Sequence, residues 1–467
     1  MYFGHMKNQT RKSPDALIIV AVILLLTIVL TWLVPAGAYD RTEVNGRSVV
    51  VGGTYHKAEA SPQNLWDAFM APLRGFESAA DIVGFVLLVG GAFALLMKTG
   101  AINALLFRVV RWSERNKTVG VLTIPFVMSF FAFGGYTFGM SEETLVFILI
   151  TIPLARSMGY DAIVGVSLAF LGAGVGFAGA AFNPFTVGVA HGIAEIPTFS
   201  GWGYRTVVCV VFTLAASLYV MNYARKILKD PSKSILHGKV KPIKETVEDI
   251  PLTTSRIIVL LMFMVSLGLV MIGALQWDWY IMEISALFLA LGISSALVNR
   301  LGLSASMKAF YSGVKEMLPA ALIIALSKSI LVVAEDGHII DTILFAMASM
   351  VDGLPRVVAV ELMFLVQGVI NFFIPSGSGQ AAITMPVMTP LADILGISRQ
   401  NAVLAYQFGD GLFNLIIPTS GVTMGVLSIA GIPYQIWMKW IWKLMVILVL
   451  LAMVFLALPE LGVVDFV

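Results

Sequence analysis

Two stretches decide how this sequence is interpreted: FFAFGGYTFGMSEE at 130–143 and FFIPSGSGQ at 372–380. Each is an apolar run interrupted by small and polar residues, and in both halves a Pro-Leu-Ala turn follows. A second interruption then occurs, GAAFNPFTVGVAHGIAEIP at 179–197 and LFNLIIPTSGVTMGVLSIAGIP at 412–433. Membrane helices that are interrupted at matching places in two halves of a chain are typical of secondary transporters, with the binding site at the interruptions.

The composition places the chain in a lipid bilayer. Hydrophobic residues make up 58% of the 467 residues and charged residues only 12%, with uncharged apolar runs of nearly twenty residues such as 16–34. The single cysteine, Cys209, excludes a disulfide framework and a cysteine-based metal or redox cluster. No phosphate-binding loop is present, so the sequence gives no support for ATP-driven transport. We expect no cofactor, no nucleic-acid partner and no enzymatic activity.

The pattern predicts an all-α polytopic membrane protein with two inverted repeats. Each repeat contains a re-entrant helical hairpin, which enters and leaves on one side, and a transmembrane helix that is unwound in the middle. The predicted divisions are a first repeat at 1–224 with its hairpin at 118–155 and its broken helix at 162–197, a cytoplasmic linker at 225–256, a connecting transmembrane helix at 257–275, and a second repeat at 276–467 with its hairpin at 357–391 and its broken helix at 399–433.

The distribution of Lys and Arg predicts the topology, because basic residues concentrate on the cytoplasmic side of membrane proteins. With the N-terminus in the cytoplasm, about 22 of the 30 basic residues are cytoplasmic and Lys328 lies within the membrane. Three spans, 257–275, 281–298 and 317–335, then invert the second half and place the C-terminus outside. We expect 101–117 and 338–355 to lie along the membrane surface, because they are too short or too charged to span.

Three longer stretches resemble a known family: NPFTVGVAHGIAEIPTFSGWGYR at 183–205, NFFIPSGSGQAAITMPVMTPLAD at 371–393 and YQFGDGLFNLIIPTSGVTMGVL at 406–427. They resemble the ion-transporter superfamily and, within it, the YfcC/DcuC-type family of anaerobic C4-dicarboxylate carriers and arginine/ornithine antiporter-like proteins. The resemblance covers essentially the whole chain. It implies a homodimer in the bacterial inner membrane, in contact with lipid, whose transport domain moves like an elevator against a dimeric scaffold.

The interruptions supply the candidate binding residues. Half-helix N-termini present a positive dipole end to a carboxylate, while freed carbonyl, hydroxyl and amide oxygens suit a hard cation such as Na⁺. We therefore expect substrate or ion contacts in or beside the four interruptions, with Na⁺ at the breaks around Asn183 and Asn414. The candidates are Ser129, Gly134, Gly135, Thr137, Ser141, Glu142, Glu143, Asn183, Pro184, Thr186, Asn371, Ser376, Gly377, Ser378, Gly379, Gln380, Asp410, Asn414, Pro418, Thr419, Ser420 and Thr423.

Some of these residues also have structural explanations. The glycines of the tips allow tight turns and close helix packing, and the prolines of the breaks can simply kink a helix. Ser141 can cap a helix whose first turn contains Glu142 and Glu143. Asp410, eight positions before the second break in an apolar helix, is a functional candidate because ionisable groups at membrane depth are costly, but it can also hydrogen-bond a neighbouring hairpin. Lys328 can pair with Asp410, pair with an acid of the first hairpin, or extend to the interface.

The predicted substrate is a small polar organic molecule, and the charges of the interruptions favour an amino acid, in particular a basic one. The charged candidates there, Glu142, Glu143 and Asp410, are all acidic, so they suit an amine better than a bare dicarboxylate. A C4-dicarboxylate remains the alternative, since helix dipoles with Ser, Thr and Asn can hold carboxylates. The sequence leaves open Na⁺ or H⁺ coupling, and antiport or symport.

Two other functional classes fit less well. An intramembrane aspartyl protease needs Tyr-Asp and Gly-X-Gly-Asp motifs on facing helices. Here Gln407 replaces the first glycine of the second motif, and the Tyr160-Asp161 pair falls in a predicted cytoplasmic turn. A channel also uses re-entrant loops, but two opposed hairpins with closed polar tips suit alternating access better than an open pore.

Overall fold

The computed structural model describes residues 16–44, 47–105, 108, 117–238, 251–277, 279–351 and 353–465, and this part of the chain is mainly helical. Six of its helices are long and apolar enough to cross a membrane: Ala80–Lys98, Trp202–Lys229, Ile281–Val298, Leu303–Asp336, Arg356–Phe373 and Tyr434–Glu460. The other principal helices are Ala16–Leu33, Leu65–Ser78, Lys117–Phe138, Thr144–Ser157, Thr254–Gln276, Ile340–Val351 and Gly377–Leu395. The remaining helical segments, belonging to two interrupted helices, are Ala162–Val166, Ser167–Leu171, Gly172–Ala178, Pro184–Gly188, Val189–Ile193, Arg399–Phe413 and Gly421–Ala430.

Four short segments join or interrupt these helices. The first tip, residues 139–143, joins Lys117–Phe138 to Thr144–Ser157, and the second tip, residues 374–376, joins Arg356–Phe373 to Gly377–Leu395. The first break, residues 179–183, interrupts the helix that starts at Ala162. The second break, residues 414–420, interrupts the helix that starts at Arg399.

The two interrupted helices have matching bounds. Ala162–Ile193 and Arg399–Ala430 begin and end 237 positions apart, which is also the separation of Pro153 and Pro390 in the sequence. The chain therefore repeats its secondary structure at the spacing of its sequence motifs.

The helices group into two bundles. Bundle A contains Ala16–Leu33, Leu65–Ser78, Ala80–Lys98, Thr254–Gln276, Ile281–Val298 and Leu303–Asp336. Bundle B contains the two hairpins, the two interrupted helices and the helices Trp202–Lys229 and Tyr434–Glu460. The two bundles meet chiefly where Leu303–Asp336 packs on Gly421–Ala430. Small residues allow this contact, because a Cβ atom placed on Gly421 would lie 3.0 Å from the Ile324 side chain.

One helix of bundle A has no counterpart in the sequence analysis. Leu65–Ser78 precedes Ala80–Lys98 with one residue between them. It begins with a capping box, in which the Asn64 side chain accepts from the Asp67 N–H and the Asp67 carboxylate accepts from the Asn64 N–H. The predicted span at 317–335 is also longer in the structure, where it starts at Leu303. The helix Leu65–Ser78 and the added segment 303–316 both contain charged residues, so a search for uncharged apolar runs does not find them.

A two-stranded hairpin, Arg41–Val44 with Arg47–Val50, packs against the helix of the second tip. An ion pair of 3.0 Å between Arg41 and Asp341 fixes it to the helix Ile340–Val351. That helix has twelve residues and is therefore about 18 Å long, which is too short to span a hydrocarbon core of about 30 Å. The corresponding predicted surface helix at 101–117 lies largely outside the described residues, as does the part of the linker at 239–250.

Close helix contacts hold bundle B together around the first hairpin. A Cβ atom placed on Gly176 would lie 2.0 Å from the Ala132 carbonyl oxygen, and one on Gly135 would lie 2.1 Å from the Ala173 carbonyl oxygen. The backbones of Lys117–Phe138 and Gly172–Ala178 therefore touch, in the way that small residues permit between membrane helices.

We expect Gly176→Ala to lower the thermal midpoint of the detergent-purified protein, because the added methyl group forces these two helices apart at a cost of about 1–3 kcal/mol. The matched control is Gly268→Ala, since a Cβ atom there has no neighbour within 4 Å. Equal midpoints for the two variants would contradict the close contact.

Candidate functional site

A cavity of about 260 Å³ lies between both tips, the second break and the residues that flank the first break. Nine of the predicted candidates line it, and they come from the first tip, the first interrupted helix, the second tip and the second break. They are Ser141, Glu142, Thr186, Ser376, Gly377, Ser378, Asn414, Thr419 and Ser420. The sequence motifs that are far apart in the chain therefore contribute to one polar chamber.

Bundle A completes the cavity with residues that the sequence analysis did not include among the candidates. Asp81 lies one residue into the helix Ala80–Lys98, Lys328 lies in Leu303–Asp336, and Tyr280 precedes Ile281–Val298. The signal for Asp81 is that it is the only acid of its apolar run, whereas Lys328 is predicted within the membrane but is not among the candidates. No ion pair in the described part of the chain includes Lys328, but it acts electrostatically on Glu142.

The first tip separates its two neighbouring acids. Glu142 lines the cavity, whereas Glu143 faces an apolar space formed with Phe130, Phe147 and other residues. The Glu143 carboxylate accepts a hydrogen bond of 3.1 Å from the backbone N–H of Ser141 and so stabilises the turn. The expected cap by the Ser141 side chain is not formed, since the capping residue of Thr144–Ser157 is Glu143, without a side-chain bond. Glu142 is the acid of this tip that a ligand can reach.

The Asn183 side chain of the first break bonds the backbone of the helical segment that follows. The Asn183 side-chain oxygen accepts hydrogen bonds from the backbone N–H groups of Phe185, at 2.9 Å, and Thr186, at 3.3 Å. Asn183 thereby caps the helical segment that begins at Pro184, and its amide nitrogen faces Gly139 of the first tip. It is fully buried and does not line the cavity.

The second break carries unpartnered oxygen atoms. Asp410 is fully buried, and one of its carboxylate oxygens accepts a hydrogen bond of 2.9 Å from the Asn414 amide nitrogen. The other Asp410 oxygen, the Asn414 side-chain oxygen and the Thr419 hydroxyl have no hydrogen-bond partner in the described residues. Buried oxygens in this number suit a hard cation or a proton.

Three backbone carbonyls of the second break already have donors. The Asn414 carbonyl accepts from the Thr423 hydroxyl, the Leu415 carbonyl from the Trp437 indole at 3.0 Å, and the Ile416 carbonyl from the Tyr434 hydroxyl at 2.6 Å. The unpartnered oxygens that an ion could use at these residues are therefore side-chain oxygens.

The second tip begins a helix that points into the cavity. Ser376 precedes the helix Gly377–Leu395 and makes no side-chain cap, so the first N–H groups of this helix are available to an anion. The start of this helix packs closely against both interrupted helices. A Cβ atom on Gly377 would lie 2.3 Å from the Thr186 methyl group and 2.9 Å from an Asp410 carboxylate oxygen. The Tyr406 hydroxyl also donates to the Gly377 carbonyl at 2.6 Å.

The other predicted residues lie away from the cavity. Ser129 is exposed on the outer face of Lys117–Phe138, Gly134 adjoins the Met140 side chain of the first tip, and Gly135 contacts the helix Gly172–Ala178. The Thr137 hydroxyl donates to the Phe133 carbonyl of its own helix. Four more predicted residues lie in or beside the breaks and the second hairpin and do not line the cavity: Pro184, Asn371, Gln380 and Pro418. Gly379 and Thr423 adjoin the second tip and second break in the same way.

The structure gives the two protease-type acids separate roles. Asp161 caps the helix that starts at Ala162 and accepts hydrogen bonds of 2.6 Å from Tyr223 and Ser234. Asp410 is bonded at the second break. The two carboxylates therefore have different hydrogen-bond partners on different elements.

The sequence matches a known family of carriers and two of its relatives. The sequence profile of the C4-dicarboxylate anaerobic carrier family, DcuC, matches residues 14–459. YfcC of Escherichia coli (strain K12), whose name proposes basic amino acid antiport, is 34% identical over 91% of this chain and 92% of its own. An uncharacterized protein of Haemophilus influenzae (strain Rd) is 28% identical over 96% of this chain and 97% of its own.

Two solved structures of transporters are also similar. The YdaH transporter of Alcanivorax borkumensis has a TM-score of 0.45 at 18% identity, covering 96% of this chain and 99% of its own. MtrF of Neisseria gonorrhoeae, described in a class of antimetabolite efflux pumps, has a TM-score of 0.45 at 15% identity, covering 96% and 95%.

We expect Gly377→Ala to lower the thermal midpoint of the ligand-free protein, because the new methyl group displaces the second tip from Thr186 and Asp410 at a cost of about 1–3 kcal/mol. Gly379→Ala is the control, since its nearest neighbour would be the movable Ser376 hydroxyl at 3.1 Å. A midpoint for Gly377→Ala at or above that of Gly379→Ala would show that the tip is not seated there.

Proposed function

The chain belongs to the C4-dicarboxylate anaerobic carrier family of membrane transporters, and from this membership and the cavity we propose that it exchanges basic amino acids across the bacterial inner membrane. The transporter class and the multi-pass membrane character follow from the family and the apolar helices. The substrate, the exchange mode and the coupling ion are our proposal.

The charges that line the cavity carry this proposal. Asp81 and Glu142 supply two carboxylates and Lys328 supplies one ammonium group. A basic amino acid has the complementary set, two cationic groups and one carboxylate. Its α-carboxylate would lie between Lys328 and the N-terminus of Gly377–Leu395, where both the charge and the helix dipole are favourable. Its two cationic groups would face Asp81 and Glu142.

A C4-dicarboxylate is the second candidate, because the family takes its name from such substrates. The N-terminus of Gly377–Leu395 and Lys328 suit one carboxylate of such a molecule. The second carboxylate would then approach Asp81 or Glu142, and like charges at contact distance repel strongly in a partly dehydrated chamber. The charge pattern therefore favours the basic amino acid.

We further propose alternating access by movement of bundle B against bundle A. The substrate cavity lies between the two bundles, and the sequence repeats support two inverted halves. In this mechanism the protein is a homodimer surrounded by lipid, with its N-terminus in the cytoplasm and its C-terminus outside. Bundle A would form the static scaffold, because it contains the longest helix, Leu303–Asp336.

The coupling cation, Na⁺ or H⁺, is assigned to the second break. Unpartnered oxygens of Asp410, Asn414 and Thr419 lie there beside the cavity. Carboxylate, amide and hydroxyl oxygens are suitable Na⁺ ligands, and the Asp410 carboxylate can also carry a proton. A cation here would balance the buried charge of Asp410, which has no ion pair among the described residues.

The experiment that tests the substrate assignment is exchange in proteoliposomes. We expect vesicles preloaded with arginine or ornithine to take up labelled arginine, and vesicles preloaded with buffer or with succinate to take up much less. Thermal stabilisation of the purified protein by the same compounds, with and without Na⁺, provides an independent measurement. Exchange of labelled succinate without exchange of arginine would show that the substrate is a C4-dicarboxylate instead.

Substitutions that remove one charge separate the two ends of the substrate. We expect Glu142→Gln to weaken competition by arginine about tenfold more than competition by citrulline, its neutral analogue, because only arginine loses an ionic partner. We expect Lys328→Gln to weaken both competitors to a similar extent, since both have the α-carboxylate. Equal losses of arginine and citrulline in Glu142→Gln would remove Glu142 from the amine site.

A further inference from the structure

Arg205 is a fully buried cation that the substrate cavity does not explain. It is the fourth residue of the helix Trp202–Lys229, none of its surface is exposed, and it does not line the cavity. Its Nη1 atom donates a hydrogen bond of 3.4 Å to the Ala180 carbonyl, within the first break. Its Nε and Nη2 atoms have no hydrogen-bond partner in the part of the chain that the structure describes.

No carboxylate among the described residues pairs with this charge. None of the ion pairs between described residues includes Arg205. The guanidinium interacts with the Tyr136 phenol and the His191 imidazole, both uncharged side chains, and it bonds the carbonyl of Ala180, two residues after the first half of the interrupted helix ends at Ala178. The C-terminal end of a helix carries a partial negative charge, and in interrupted transporter helices such ends bind cations.

The second break is bonded by a neutral donor. Trp437 is the fourth residue of Tyr434–Glu460, the helix that follows the second interrupted helix, and it is also fully buried. Its indole N–H donates to the Leu415 carbonyl at 3.0 Å. Each break therefore receives a hydrogen bond from the start of the helix that follows its interrupted helix, once from a charged donor and once from an uncharged one.

The first break has the charged donor, whereas the second break has the unpartnered side-chain oxygens. The second break offers unpartnered oxygens from Asp410, Asn414 and Thr419. The positions 237 residues earlier, which align the bounds of the two interrupted helices, are Ala173, Phe177 and Phe182. The remaining polar residue of the first break, Asn183, uses its side-chain oxygen to cap a helix and presents a donor.

We propose that Arg205 is a built-in cation of the first break, which takes the place of a coupling ion there and leaves the second break as the only site for an exchangeable cation. The inference deepens the proposed function, because it assigns one coupling cation to each transport cycle. Its core, that the first break requires a positive charge supplied by the protein, is independent of the substrate.

The test is chemical rescue of Arg205→Ala, measured as the thermal midpoint of the purified protein without substrate. We expect the substitution to lower the midpoint by several degrees, and about 10 mM methylguanidinium to restore at least half of the loss. Methylurea, a neutral molecule of the same shape, should restore almost none of it. Equal effects of the two compounds, or no effect of methylguanidinium, would overturn the proposal.

Matched variants keep the test decisive if Arg205→Ala does not fold. Arg205→Lys retains the charge and Arg205→Gln retains a hydrogen-bond donor, so we expect the Lys variant to stay folded and the Gln variant to be clearly less stable. A Gln variant as stable as the wild type would show that the break needs a donor and no charge. Trp437→Ala is the control, in which methylguanidinium and methylurea should act alike.

A transport measurement tests the stoichiometry. We expect arginine uptake to rise with the coupling cation with a Hill coefficient close to one, whereas a value close to two would indicate a cation at each break. The stability experiment needs no substrate, so an absence of arginine exchange would refute the proposed function and leave the role of Arg205 to be decided by the rescue alone.

Discussion

A helix that is broken inside a membrane leaves backbone N–H and C=O groups without partners, and the organisation of bundle B depends on satisfying them. At the second break the donors come from Thr423, Tyr434 and Trp437, two of them in the helix that follows. At the first break Arg205 has the corresponding role. The helices Trp202–Lys229 and Tyr434–Glu460 are therefore part of the site, although neither lines the cavity, because they determine which backbone groups stay paired.

The positions of the tips and breaks could be predicted because they depend on local chemistry. Gly, Pro, Ser and Asn interrupt apolar runs wherever they cluster, so the sequence predicts interruptions around Asn183 and Asn414, and the structure has non-helical residues at 179–183 and 414–420. The directions of side chains could not be predicted in the same way. Glu142 and Glu143 are neighbours with the same composition around them, yet one lines the cavity and the other closes a turn. Only the packing of the tip distinguishes them.

Residues that act from a neighbouring element were the hardest to find. Asp81 and Lys328 enter the cavity from bundle A, whose helices show no polar interruption comparable with the tips. Arg205 lies outside the first break, at the end of the stretch 183–205, and becomes informative only when the donors that bond the two breaks are compared. The signal that finds such residues is a comparison of the two halves position by position. The halves share their backbone pattern but differ in their charged residues, so the differences identify the residues that give each half its own role.

The origin of the cavity charges gives a physical reason for exchange. Glu142 belongs to bundle B and Lys328 to bundle A, and Lys328 acts electrostatically on Glu142. Under the proposed mechanism, an empty bundle B that moved would take Glu142 away from its countercharge in a chamber of low dielectric, which is costly. A bound basic amino acid brings a cationic group that stays with Glu142 during the movement. The loaded carrier would therefore move more readily than the empty one, and a carrier that crosses mainly when loaded catalyses exchange.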